Sequence, residues 1–539
     1  MTATGTMTPY RSGQQPGRDG FPQLLHAEWT KFRTVRGWVI AVIAAAVLAA
    51  LATVALAAAA NGKQNPGAHP TVAIGPGGEG VTDNFYFVHQ PLTGNGSITV
   101  RLTGLTDTEQ QPGRRPNRTI NVPTVQPWAK AGIIIKDGTR PGSAYAAIMA
   151  TPSHGVRMQY NYTHDAAGLP GAVSAASPRW LRLTRSGDTI TGYDSADGTH
   201  WTEVGAATLT GLPETAQAGL LAASPTALMT TQGFASNNGT PVSTQATGVF
   251  DHVSLRGDRP SPAWRGGVVG AASGPTPQCT APQGSACIGP KSLGATGGVT
   301  KSGGTFTVAG SGDIAPYVPI TDPLGLSFKG TLVGLIAVIA LGGLFITAEY
   351  RRGLIRTTLT ASPRRGRVLV AKAIVIGAVT FIAGLIGAAV ALPITEQKLH
   401  SGGWVASVYP VWSLFSEHGL QMVVGTAGLL AAAAVLALAA GAVLRRSAGA
   451  IAAVVVLIIL PLILATILPM TPAQWLLRLT PAAGFGLQQG TAQYAQVTHA
   501  CLPYNGCYPL APWNGFAVMC AWVVVGLGVA IYLLRSRDA

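Results

Sequence analysis

Six stretches of this chain are apolar for too long to be stable in water: Trp38–Ala60, Gly330–Ala348, Val368–Leu392, Leu420–Leu444, Ala448–Leu468 and Trp513–Leu534. A bilayer core is crossed by about 20 helical residues. In lipid each backbone N–H and C=O needs a partner within its own segment, which dictates helices. A buried core helix accounts for one such run but not for six. Only 11% of the 539 residues are charged, against about 25% in soluble domains. The net charge of +15 therefore sits on a membrane protein; a nucleic-acid binder would be polar around its basic patches. The first run ends in "LAAAAN", like a signal-peptide cleavage site. Its apolar core far exceeds the about 7–15 residues of a signal peptide, so it is expected to remain as the first span.

Arg and Lys in short loops mark the cytoplasmic side. Lys31, Arg33 and Arg36 precede the first span, "RRS" follows the fourth, and "RSRDA" ends the chain. The loop after the second span, "ITAEYRRGLIRTTLTASPRRGRVLVAK", carries seven Arg or Lys and one Glu. Six spans place all four segments on one side. The alternate loops are nearly free of positive charge: 394–418 holds only Lys398, and 470–512 only Arg478. Both termini are expected in the cytoplasm, in a multi-pass protein of the cell membrane. Cys279 and Cys287, and Cys501 and Cys507, then fall outside in close pairs. There disulfides persist, and bridges are expected rather than free thiols. Cys520 reads as a small apolar residue in the sixth span.

The outside segment between the first two spans changes character. Residues 61–82 and 257–327 are Gly/Pro-rich and read as linkers, the second carrying the first cysteine pair. Between them, 83–256 alternates in short runs such as "GSITVRLTGL" and "WLRLTRSG", and "DTITGYDSADGTHWTEVG" reads as a hairpin turning at Asp197-Gly198. "DNFYFVHQPLTGNGSITVRL" and "AKAGIIIKDGTRPGSAYAAIMATPSHGVRMQY" resemble the concanavalin-like, laminin-G-like jelly-roll family. That resemblance implies an all-β extracellular sandwich and, in many members, sugar binding. Glycoside cleavage needs two carboxylates across the scissile bond. The only close acidic pair, Asp107 and Glu109, reads as loop, and the histidines lack metal-ligand spacing. No catalytic or metal site is expected. Tyr160 and Tyr162, two apart, would share one strand face as a ligand surface for a glycan or peptide.

The basic loop carries the second resemblance. Glu349, Tyr350, Arg351, Gly353, Ile355 and Arg356, then Pro363 and Arg365, then Lys372 entering the next span, are similar to the coupling loop of type-2 ABC exporter permeases. "LLHAEWTKFRTVRGW", with Glu28, Lys31 and Arg36, resembles the amphipathic elbow helix of that family, spanning 21–36. "LRRSAGA" and "LLRLTPAAGFGLQQG" resemble its inner turn and its outer element before the last span. The jelly roll is a departure, since many members have only a short loop there. The family implies a five-span membrane domain over 328–537, a cytoplasmic coupling loop at 349–367, a separate cytoplasmic ATPase and a second permease half. The chain lacks its own phosphate-binding loop: "GSACIGPKS" puts Pro290 between the second Gly and Lys291. So no cofactor is expected in this chain, with ATP and Mg on the partner, and no nucleic acid. The transported substrate is expected to be amphipathic or lipid-like. The competing expectation is a membrane-anchored glycan- or peptide-binding sensor without transport. Reporters fused after Gly62 or within 490–510 should read outside, and those at Gly366 and Ala539 inside; Gly366 outside would sink the six-span topology.

Overall fold

The computed structural model describes residues 20–61, 72–112, 119–233, 236–257, 263–270, 296–319, 322–351, 353, 365–404, 406, 409–497 and 507–536. Cys279, Cys287, Cys501, Arg356 and the 284–292 stretch lie outside them, so neither expected cysteine pair is wholly within the described residues. Cys520 is free and half-buried in the last helix.

The helices are α1 (Phe21–Thr34), α2 (Arg36–Asn61), α3 (Pro323–Phe328), α4 (Thr331–Arg351), α5 (Arg365–Ser401), α6 (Glu417–Leu444), α7 (Ser447–Ile467), α8 (Met470–Leu479) and α9 (Pro512–Ser536). Six are long and apolar enough to cross a membrane: α2, α4 with its α3 lead-in, α5, α6, α7 and α9. Helix α6 is central, with Ala427, Leu430, Ala433, Ala434, Ala437 and Leu438 all buried. Small residues let helices pack where no water-driven hydrophobic force acts between them. A Cβ at Gly342 of α4 would collide with the carbonyl of Ala434, and one at Gly330 with the backbone of Thr53 in α2. Helix α5 runs on through Pro393, beyond the span expected to end at Leu392.

Between α2 and α3 lies a large antiparallel β domain, from Ala73 to Pro316. One sheet runs Ala73–Ile74, Gly80–Thr93, Thr215–Ala223, Lys130–Lys136, Tyr145–Thr151, Gly155–Tyr160, His164–Ala167. The other runs Thr202–Thr208, Thr189–Ser195, Arg179–Ser186, Gly96–Pro112, Thr244–Gly257, Thr305–Gly310, Gly297–Ser302. The sheets face each other over Val88, Ile98, Ile133, Leu181, Leu220 and Phe250. Strand alternation is visible in Arg179–Ser186: Leu181 and Leu183 point in, while Trp180 and Arg182 are half-exposed. The Asp197 turn forms as expected: the carboxylate accepts from Thr199 N and His200 N, and Gly198 takes φ 80°.

The domain is wider than the expected 83–256. The Gly-rich stretch expected as linker contains the strands Arg265–Val269, Gly297–Ser302, Thr305–Gly310 and Asp313–Pro316. Phe306 and Val308 enter the core, and Asp313–Pro316 pairs with the strand Gly80–Thr93.

The outer face of the first sheet is also buried, over Phe85, Phe87, Ile134, Tyr145, Met149 and Leu221. Lys130 and Lys136 point into this layer. Lys130 Nζ reaches Asp313 Oδ1 at 2.5 Å and the Ile314 carbonyl at 3.0 Å. Lys136 Nζ reaches Asp83 Oδ2 at 2.8 Å, Tyr162 Oη at 3.1 Å and the Ser143 carbonyl at 2.9 Å. Burial pulls the Lys136 ammonium down, against the pull of Asp83. Removing one partner of a buried pair leaves an uncompensated charge and costs about 3–5 kcal/mol. A polypeptide of residues 72–318 should therefore fold as a soluble β protein, whereas 80–258 should not. Asp313→Ala should lower the unfolding free energy of 72–318 by about 3–5 kcal/mol, read by denaturant titration.

Candidate functional site: a charge cluster where the elbow helix meets the spans

Helix α1 starts with Gly20 as N-cap and Pro in its first turn, and ends one residue before α2. Glu28 and Phe32, four apart, share the face that packs on the spans. Phe32 meets Phe345 of α4 edge-on at 6.0 Å, and Trp38 of α2 meets the same ring at 5.8 Å. Arg36, expected in the elbow, is instead the first residue of α2 and is exposed.

Behind these rings sits a four-charge cluster. Lys372 of α5 is 1% exposed. Its Nζ donates to Glu28 Oε2 at 2.6 Å and to Glu349 Oε1 at 2.6 Å. Lys31 Nζ completes the ring, to Glu28 Oε1 at 2.9 Å and Glu349 Oε1 at 3.5 Å. Lys372 also lies over the Phe345 ring at 5.0 Å, an attractive placement for an ammonium. Burial pulls the Lys31 ammonium down, and Glu28 and Glu349 more than offset it, leaving it above the ordinary lysine range. Two cations balance two anions, and three helices are joined.

The neighbouring basic residues tie other helix ends. Arg445 caps α6 in the left-handed region, with φ 55°, and its guanidinium lies 5.5 Å over the Tyr350 ring. Arg365 donates to the Leu534 carbonyl at 2.9 Å, meeting the C-terminal end of α9 where a cation is favoured. Arg351 ends α4 and is exposed.

Of the expected coupling loop 349–367, residues 352 and 354–364 lie outside the described residues. Helix α4 stops at Arg351, and Gly353 takes φ 68° while its N–H reaches the Tyr350 carbonyl at 3.2 Å. Among the described residues, no atom lies within 4 Å of where a Cβ would sit on Gly353. A glycine suits the left-handed position at this helix end.

Tyr160 and Tyr162 do not share a strand face. Tyr160 ends its strand and stacks on His164 at 4.2 Å. Tyr162 lies in the following turn at φ 63°, fully buried, donating to Asp83 Oδ2 at 2.7 Å. The sequence reading picked out Glu28, Lys31, Glu349 and Lys372 separately but not their convergence. The available signal was that each lone charge beside a span needs a partner.

No protein-family profile and no curated protein matches the chain. Among solved structures, scytalido-glutamic peptidase with a transition-state analog inhibitor shares 10% identity over 42% of this chain and 98% of that one, at a TM-score of 0.24. A functionally unknown protein from Saccharomyces cerevisiae shares 14% identity over 32% and 76%, at 0.21. The GH43 protein BlXynB from Bacillus licheniformis shares 16% identity over 24% of each chain, at 0.17. Likeness at that level assigns neither family nor chemistry.

Lys372→Met leaves buried Glu28 and half-buried Glu349 with Lys31 alone and should cost about 3–5 kcal/mol. Adding Glu28→Gln and Glu349→Gln should restore most of it. Thermal unfolding of the detergent-solubilised protein checks both; a triple variant no more stable than the single one contradicts the cluster as drawn.

Proposed function

We propose that this chain is the permease subunit of an ABC-type exporter, driven by a separate cytoplasmic ATPase. The observation that carries the reading is the cluster joining α1, α4 and α5. A subunit worked from outside its own fold needs a rigid linkage between the docking element and the spans. Glu28, Lys31, Glu349 and Lys372 supply one at the end of the bundle where the basic loop departs.

In this reading the ATPase docks on the segment from Arg351 through Arg356 to Arg365, alongside α1, and carries ATP and Mg. This chain is not itself an enzyme. A second permease half completes the pathway. The β domain lies outside the cell, where it binds a glycan or peptide or gates the exit. Bridges Cys279–Cys287 and Cys501–Cys507 belong to the same side. The cargo is amphipathic or lipid-like, in keeping with the apolar spans.

The test is co-purification of a cytoplasmic ATPase with the tagged chain, followed by ATPase and transport rates in vesicles. Glu349→Ala opens the cluster, and Gly353→Leu forces a branched side chain into a left-handed position. Both should insert normally yet uncouple hydrolysis from transport. Arg351→Lys keeps charge but not the planar five-donor fork, so it should weaken docking. A chain that recruits no ATPase, or both uncoupling variants behaving as wild type, would leave the anchored sensor as the better account.

A further inference from the structure

We infer that the cavity between the β domain and the adjoining ends of the spans binds a small organic cation, an ammonium with an apolar body. The cavity measures about 280 Å³ and is lined by the lead-in Gly77–Gly80, the exit segment Tyr317–Pro319, the end of α5, residues between Trp404 and Trp412, and Gly490, Thr491, Ala492 and Tyr494. Three carboxylates line it: Glu79, Asp322 and Glu396. Among the described residues no Lys or Arg does. The one lining base among them is His400, whose Nδ1 is engaged by the Trp404 carbonyl at 2.6 Å.

The carboxylates are not equivalent. Asp322 is committed to the fold: it caps α3 through Gly325 N at 2.9 Å and accepts from Gly490 N at 2.6 Å. Burial pushes it up to about 6 against those donors. Glu396 is 6% exposed, and its Oε1 accepts from Trp412 N at 2.6 Å. Among the described residues it belongs to no ion pair. A nearly buried carboxylate without a cation is costly, so such groups are found paired. Here the free side of the pairing faces an open cavity.

Five aromatic residues also line it: Tyr317, Tyr409, Tyr494, Trp404 and Trp412. Trp404 and Tyr409 form a corner, edge to face at 4.6 Å. Trp412 is fixed by Nε1 donating to the Gly490 carbonyl at 2.8 Å and by stacking on His418 at 4.3 Å. Ring faces attract a cation within about 6 Å of the centroid, most strongly once it is desolvated. A bare metal ion is the wrong occupant, because no three metal-ligating side chains converge anywhere among the described residues. An anion meets three carboxylates. A neutral sugar leaves Glu396 unpaired. An ammonium answers the acid and the rings together.

The test uses the full chain in nanodiscs of lipids without choline headgroups. Choline is the probe, and 3,3-dimethylbutan-1-ol is its neutral isostere of the same shape. Calorimetry should show saturable choline binding at one site per chain, with the isostere at least tenfold weaker. Glu396→Gln keeps an acceptor for Trp412 N and should weaken choline at least tenfold. It should leave the isostere unchanged. Equal affinity for choline and isostere, choline affinity indifferent to Glu396→Gln, or no saturable binding overturns the inference. Should Glu396→Gln fail to fold, the choline-to-isostere ratio on the wild-type chain decides it.

Discussion

Lys372 is the constraint around which the membrane half is arranged. Desolvating an ammonium costs several kcal/mol, recovered only by excellent geometry with opposite charge. Here two carboxylates answer it, one from a spanning helix and one from α1, which does not span. Helix α1 has no long apolar run to hold it in lipid. Its position is set instead by Phe32 against Phe345 and by Glu28 reaching Lys372. Because the acids come from different helices, rotating or sliding α1 by one residue would strand a charge. The linkage is therefore specific as well as attractive.

The β domain solves the same problem with the same parts. Its first sheet is covered on both faces, which is why the strand Lys130–Lys136 has no exposed residue. A strand buried on both faces ordinarily reads as continuously apolar. Two lysines survive there because Asp313 and Asp83 arrive from distant strands. The outer face of the first sheet is thus tied to segments far along the chain, and the reach of Asp313 carries the domain through Asp313–Pro316.

This explains what was legible from sequence. The six spans were, since lipid demands about 20 apolar residues in a row and no other structure meets that demand. The alternating strands and the Asp197 turn were legible because their signal is local. The strands Gly297–Ser302 and Thr305–Gly310 were not: they lie in a Gly-rich stretch, and they are strands because Thr305–Gly310 pairs with Thr244–Gly257 and Gly297–Ser302 pairs with Thr305–Gly310. The charge cluster was half legible. Glu349 and Lys372 stand out beside apolar runs, but the Glu28–Lys372 contact joins residues 344 apart. Glu396 drew no attention because its meaning lies in the empty space beside it.

The junction between the halves is strained where they touch. Asn161 and Tyr162 both take left-handed φ, at 43° and 63°. For a residue with a Cβ that conformation costs about 1–2 kcal/mol. The turn is held by Tyr162 Oη, bonded to Asp83 and Lys136, and by the Tyr162 carbonyl, which accepts from Gln496 at 3.0 Å. Gln496 is buried and belongs to the segment leading into α9. So the buried ion pair of the β domain, the strained turn and the approach to the last span form one connected set of contacts. A shift of the β domain cannot leave the 490–496 segment in place without breaking the Gln496 bond or relaxing the turn. That same segment closes one wall of the cavity beside Glu396, so occupancy there and the seating of the β domain are mechanically tied.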